Sequence, residues 1–189
     1  LTLKSYQQSA LDALATYARA ARVKGPAAAF AEHAGRAYNA DAFGPDVPCV
    51  CLRIPTGGGK TVLAAHAVPL LAAEWRGTDA PVAVWLVPSD TIRTQTLKAL
   101  QTSGHPYREA LEAVYGLGLR VCSLDDVAQV PAPQWGRQAV VIVVATIQSF
   151  RIDDAGQRNV YSFTEAFEPH FKYALAQGKG AEGGRDLAC

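Results

Sequence analysis

Four apolar stretches of strand length, separated by segments of helical periodicity, constrain this chain more than any other feature. They are "VCLRI" (50–54), "VAVWLV" (82–87), "LRVCSL" (119–124) and "AVVIVVAT" (139–146), the last apolar on both faces. Between them "KTVLAAHAVPLLAAEW" (60–75), "TIRTQTLKALQ" (91–101) and "YREALEAVY" (107–115) read as helices, with Pro69 predicting a kink in the first. Continuous Val/Ile runs alternating with helices predict an α/β fold, a parallel sheet covered by helices on both faces and joined by right-handed crossovers. Ligands of such sheets sit at the carboxyl ends of the strands. There the chain carries "PTGGGKT", "VPSDT" and "ATIQSF".

The flanks are simpler. Residues 1–22 predict a short extended lead and an amphipathic helix, with Leu11, Leu14, Ala18 and Ala21 at helical spacing and a capping box formed by Ser5 and Gln8. Residues 24–48 read as a loop insertion with a short helix, and a further helix is expected around 161–176. The domain is expected to span 1–177, leaving 178–189 as a glycine-rich loop or linker. At 189 residues the chain suits one domain with a real core.

Apolar runs no longer than a strand predict no membrane span or signal peptide, hence a cytoplasmic protein. Cys49, Cys51, Cys122 and Cys189 lack the spacing of a zinc site or a disulfide framework. A formal net charge of +1 provides no global field for nucleic acid, so such contacts need a local patch or backbone amides. A start at Leu1 and the absence of methionine predict an internal or clipped segment of a longer chain.

The chemistry concentrates in "RIPTGGGKT" (53–61), close to G-x-x-x-x-G-K-[ST] but with Ile54 where the first glycine would stand. Pro55, Thr56, Gly57, Gly59, Lys60 and Thr61 coincide by chance about once in 10^7 positions or fewer. A glycine-rich turn alone would leave the Lys-Thr pair unexplained. Gly57, Gly58 and Gly59 allow backbone N–H groups to turn inward and approach phosphate oxygens. The helix that follows offers its positive end. Lys60 is placed to reach the β- and γ-phosphates and Thr61 to ligate Mg2+, which makes ATP-Mg the expected cofactor.

Ile54 gives the loop its dialect. The form x-P-T-G-x-G-K-T resembles the loop of superfamily 2 helicases and translocases, specifically the helicase subunit of type III restriction enzymes. Three further stretches resemble that family in the right order: "LKSYQ" (3–7), "LVPSDTIRTQ" (86–95) and "VVATIQSF" (143–150). The resemblance implies a RecA-like P-loop NTPase domain, here an incomplete first motor lobe. It implies that Gln7 reads the edge of adenine with Tyr6 packed beside it. It implies contacts from Pro88, Ser89, Arg93, Thr146, Gln148 and Ser149 to the backbone of DNA, and the possibility of a methyltransferase or specificity subunit as partner. Plain readings stand beside these: Tyr6 and Gln7 as a helix start, Ser89 or Asp90 as an N-cap, Arg93 as a solvated charge, and Phe150 as core.

Hydrolysis in such motors needs an apolar strand ending in Asp-Glu. No Asp-Glu dipeptide occurs in the chain, and Asp125, Asp126, Asp153 and Asp154 read as solvated loop charges. The leading expectation is therefore the N-terminal part of an ATP-dependent helicase or translocase, able to hold nucleotide and, alone, unable to turn it over. A non-hydrolysing, nucleotide-gated binding module is the alternative, and a small-molecule P-loop kinase is disfavoured by Ile54 and the lack of a lid.

Overall fold

The computed structural model describes residues 2–40, 44–127, 130 and 139–150. The helix anticipated at 161–176, the linker at 178–189, Asp153, Asp154 and Cys189 lie outside the described residues, as does the side chain of Phe150. The chain divides into two compact units, Leu1–Pro81 with Thr102–Leu117, and Val82–Gln101 with Gly118–Cys189.

The first unit is helical. Helix α1 (Ser5–Lys24) buries Leu11, Leu14, Tyr17, Ala18 and Ala21, the stripe its apolar spacing predicts. Its start is shifted by one residue from the expected capping box. Gln7, at the third helical position, accepts the Lys4 N–H through Oε1 at 2.9 Å, while Gln8 bonds instead to Asp12. The reciprocal half of a box is missing because lysine offers no acceptor.

Helix α2 (Pro26–Ala34) is the short helix of the insertion, started by proline and ended at Gly35 in the left-handed region. It packs on α1 through Tyr17, Ala21 and Ala29, with Phe30 edge-on to both Tyr17 and Tyr38. Helix α3 (Lys60–Leu71) runs through Pro69 and widens into a π turn over Ala72–Arg76, which stops at Gly77 with φ 62°. Arg19 of α1 grips Glu74 of that turn with two hydrogen bonds of 2.9 and 2.7 Å.

Residues 50–54 are a correction to the sequence reading: they form no strand, and Val50 and Leu52 are exposed. A strand exists only where its N–H and C=O groups find a ladder. This apolar segment has none among the described residues.

The second unit holds β1 (Val82–Val87), α4 (Asp90–Gln101), β2 (Leu119–Ser123) and β3 (Val140–Thr146). The sheet is parallel, in the order β1-β3-β2, as the alternating pattern requires. Central β3 is buried along its whole length, so its Val/Ile run fits a strand covered on both faces. Each fully buried Val or Ile there contributes about 1.5–3 kcal/mol. Coverage on both faces does not extend to β1, where Val82, Val84 and Leu86 project to one side and remain about half exposed. Helix α4 packs on all three strands.

Helix α5 (Pro106–Tyr115) belongs to the first unit, where it packs on α3. Its start is capped by His105 Nδ1, which accepts from the Tyr107 N–H.

Candidate functional site

The loop at 55–59 is built from glycines whose replacement costs backbone strain or a steric clash. Gly57 and Gly59 take φ of 76° and 79°, a region that costs L residues about 1–3 kcal/mol. Gly58 donates its N–H to the Pro55 carbonyl at 3.0 Å, closing a four-residue turn with Gly57 third. A Cβ on Gly58 would lie 2.6 Å from a methyl of Ile54 and 2.9 Å from the Pro55 oxygen. The unusual isoleucine thus occupies the space a side chain at 58 would need. A Cβ on Gly59 would lie 2.5 Å from Gln7 Nε2.

One sequence expectation changes here. Gly58 was expected to turn its N–H toward phosphate, and that N–H instead closes the turn. Gly59, at the N-cap of α3, and the first turn of the helix offer further donors. No side chain caps that helix start, and its first turn carries no acidic residue. An uncapped, acid-free helix start suits an anion, because the first N–H groups of any helix lack intrahelical acceptors and sit at its positive end. Lys60 folds over the turn, its Nζ donating to the Ile54 and Pro55 carbonyls at 3.2 Å each. Thr61 is partly buried one residue further on.

Tyr6 and Gln7 arrive at the loop from 52 and 51 residues away in sequence, and their target is its backbone. Tyr6 Oη donates to the Gly58 carbonyl at 2.9 Å and Gln7 Nε2 to the same oxygen at 3.0 Å. Tyr6 is 40% exposed, whereas Gln7 is 7% exposed. Nothing in the linear sequence signals this shared acceptor, nor the contact of Ile54 with Gly58; both exist only through space.

Beside the loop runs a groove of about 280 Å3 lined by Leu14, Val50, Leu52, Ile54, Leu63, Ala64, Ala67 and Leu71, with Lys60 as its one polar lining residue. Its apolar walls do not suit a phosphate group. Within α3, burial holds the His66 imidazole below its ordinary pKa.

In the second unit the register pairs Val87 with Thr146, which sets the carboxyl ends of β1 and β3 side by side. Pro88, Ser89, Gln148 and Ser149, all exposed, therefore share one edge of the sheet. The Ser89 hydroxyl accepts the Ile92 N–H at 3.4 Å as α4 begins, a weak cap. Arg93 pairs with Asp90 through Nε at 2.7 Å. Thr146 is buried, and its hydroxyl accepts the Ser149 N–H at 3.2 Å and lies 2.8 Å from the Ser149 hydroxyl. Asp125 and Asp126 are exposed, as expected, and Asp126 accepts from the Ser123 hydroxyl.

The family model for the type III restriction enzyme, res subunit, matches residues 1–173. The chain belongs to the type III restriction enzyme res-subunit family. Membership makes it a helicase-like domain with the RecA-like P-loop fold, of which the three-stranded parallel sheet and its helices are a part. No curated protein and no solved structure matches the chain. For a res-subunit domain the implied cofactor is a nucleoside triphosphate with a divalent cation, and the residues present fit it. The glycine conformations, the uncapped α3 and the neighbouring ammonium group form an anion-compatible cradle, and Thr61 supplies a hydroxyl of the kind that binds Mg2+. Among the described residues no helix is long and apolar enough to cross a membrane.

Proposed function

We propose that this chain is the ATP-binding part of a DNA helicase or translocase motor, holding ATP-Mg through Pro55–Thr61 and touching the DNA backbone at the carboxyl ends of β1 and β3. The observation that carries this reading is the loop itself: two glycines with positive φ lead into a helix whose start has no side-chain cap and no acid, with Lys60 one residue beyond. When bound, ATP-Mg supplies the free energy and phosphoryl chemistry of such a motor. The chain's own part is to bind and orient. Gly59 and the first turn of α3 offer N–H groups, Lys60 a positive charge, and Thr61 a cation ligand. At the other site Ser89 and the start of α4 offer donors to phosphate, while Ser149 and Gln148 present exposed polar groups. Cytoplasmic residence and a methyltransferase or specificity partner belong to the same reading.

The 189 residues contain no Asp-Glu dipeptide, which favours a second reading for the chain acting alone, a module that binds nucleotide without hydrolysing it. Phosphate release on adding ATP-Mg and DNA to this chain would exclude that second reading.

Titration calorimetry with ATP-Mg tests the loop. Lys60→Ala is expected to weaken binding about ten- to a hundredfold, the worth of one charge-assisted hydrogen bond, with an unchanged far-ultraviolet dichroism spectrum. Unchanged affinity overturns the assignment of this loop to a triphosphate.

A further inference from the structure

We propose that Ile54 is a positioning residue of the loop: its β-branched side chain forms a stiff wall against Gly58 that holds the turn, and with it the N–H groups offered to a triphosphate. The proposal rests on the reading of residues 55–61 as a triphosphate loop and names the side chain that keeps that loop in shape.

The three consecutive glycines are not alike. Gly57 and Gly59 take positive φ, which is reason enough for glycine at those positions, whereas Gly58 does not. What keeps a side chain out at Gly58 is space: a Cβ there would lie 2.6 Å from Ile54 Cγ2 and 2.9 Å from Pro55 O. Gly58 is buried, and its N–H donates to Pro55 O at 3.0 Å. One side of the turn is therefore closed by the Ile54 methyl and the Pro55 carbonyl.

A turn with glycine at three successive positions has little stiffness of its own, because each glycine reaches conformations closed to other residues. A β-branched neighbour supplies the stiffness. Its two γ carbons restrict χ1, so the methyl beside Gly58 holds its place. Gly58 is joined to Gly59 by a planar peptide unit, so the placement of Gly58 sets the direction of the Gly59 N–H at the N-cap of α3.

Plain packing is the competing account, since Ile54 also lines the apolar groove with Leu63 and Ala64. Two substitutions separate the accounts. Ile54→Val keeps both γ carbons and removes one carbon from the groove. Ile54→Leu keeps every carbon and removes the branch at Cβ. Lost apolar area alone makes Val the costlier change, whereas the wall makes Leu the costlier one.

The test measures the full chain and both variants. Affinities for ATP and for inorganic tripolyphosphate, each with Mg2+, come from titration calorimetry, alongside the thermal midpoint and the amide resonances of Gly58 and Gly59 without ligand. Ile54→Leu is expected to weaken both ligands by the same factor, about three- to tenfold, the worth of one weakened hydrogen bond, and to move both resonances. Ile54→Val is expected to bind within about twofold of the unmodified chain, with smaller resonance shifts, even where its thermal midpoint falls. Affinity that tracks the thermal midpoint through both variants overturns the proposal. So does an Ile54→Leu chain that binds as tightly as the unmodified one. If the unmodified chain binds neither ligand, the triphosphate reading fails, and the two glycine resonances in Ile54→Leu still decide whether Ile54 holds the turn: moved, it does; unmoved, it does not.

Discussion

Residues 50–54 and 140–146 carry the same kind of message in sequence, a short run of β-branched and aliphatic residues, yet only the second becomes a strand. In β3 the backbone is paired on both sides, with β1 and with β2, and Val141, Ile142, Val144 and Ala145 are 0% exposed. Residues 50–54 have no ladder among the described residues, with Val50 and Leu52 each 38% exposed. What ties that segment down lies at its ends. Upstream, the Tyr38 hydroxyl donates to Val47 O and accepts the Cys49 N–H. Downstream, Ile54 packs where a side chain on Gly58 would otherwise stand. The lesson is that β-propensity describes suitability for a paired, half-buried surface and does not create one.

Five substitutions sharpen or break this contrast. The largest effect is expected at the centre of the sheet. Ile142→Ala should lower unfolding free energy by about 2–5 kcal/mol in denaturant titration, the range for removing a buried aliphatic side chain. A loss under about 1 kcal/mol would mean that β3 is no better packed than 50–54.

Next comes Gly58→Ala, with an expected cost of about 1–3 kcal/mol from overpacking against Ile54 and the Pro55 oxygen. Combining it with Ile54→Ala should recover part of that loss, giving an interaction of about 0.5 kcal/mol or more in a double-mutant cycle. Strict additivity would show that the two residues do not share the space. Leu52→Ala should cost about 1 kcal/mol or less, because the side chain is already partly in water. A cost matching Ile142→Ala would reveal that 50–54 is buried in solution.

The smallest effect is a pH dependence in the helix that follows the loop. Burial lowers the folded pKa of His66, while the unfolded chain has the ordinary value of about 6.5. The unfolded state therefore binds the proton first as pH falls. Stability is complete above about pH 6.5 and declines as the pH drops through that value toward the lower folded one. The thermal midpoint of the unmodified chain should fall more between about pH 7 and pH 5 than that of His66→Gln. Equal slopes would show that His66 titrates as if solvated.

The turn at 55–59 was the most legible local feature, because the positive φ of Gly57 and Gly59 is the backbone freedom that glycine supplies, and it is written in adjacent residues. The α/β class was equally legible from periodicity, as were β1, β2, β3, α4 and α5 to within a residue or two. The strand at 50–54 was misread because periodicity reports side chains and is blind to ladder partners.

By itself, then, the sequence determined the family and the parallel sheet, since each depends on short-range pattern. Only the tertiary structure decided that Tyr6 and Gln7 converge on one oxygen of Gly58, that Ile54 crowds any side chain four residues later, and that the ends of β1 and β3 lie in register. Those are contacts whose partners and angles the fold selects from many that composition would permit. Hydrogen bonds and steric exclusion act over a few ångströms of space, whatever the distance along the chain.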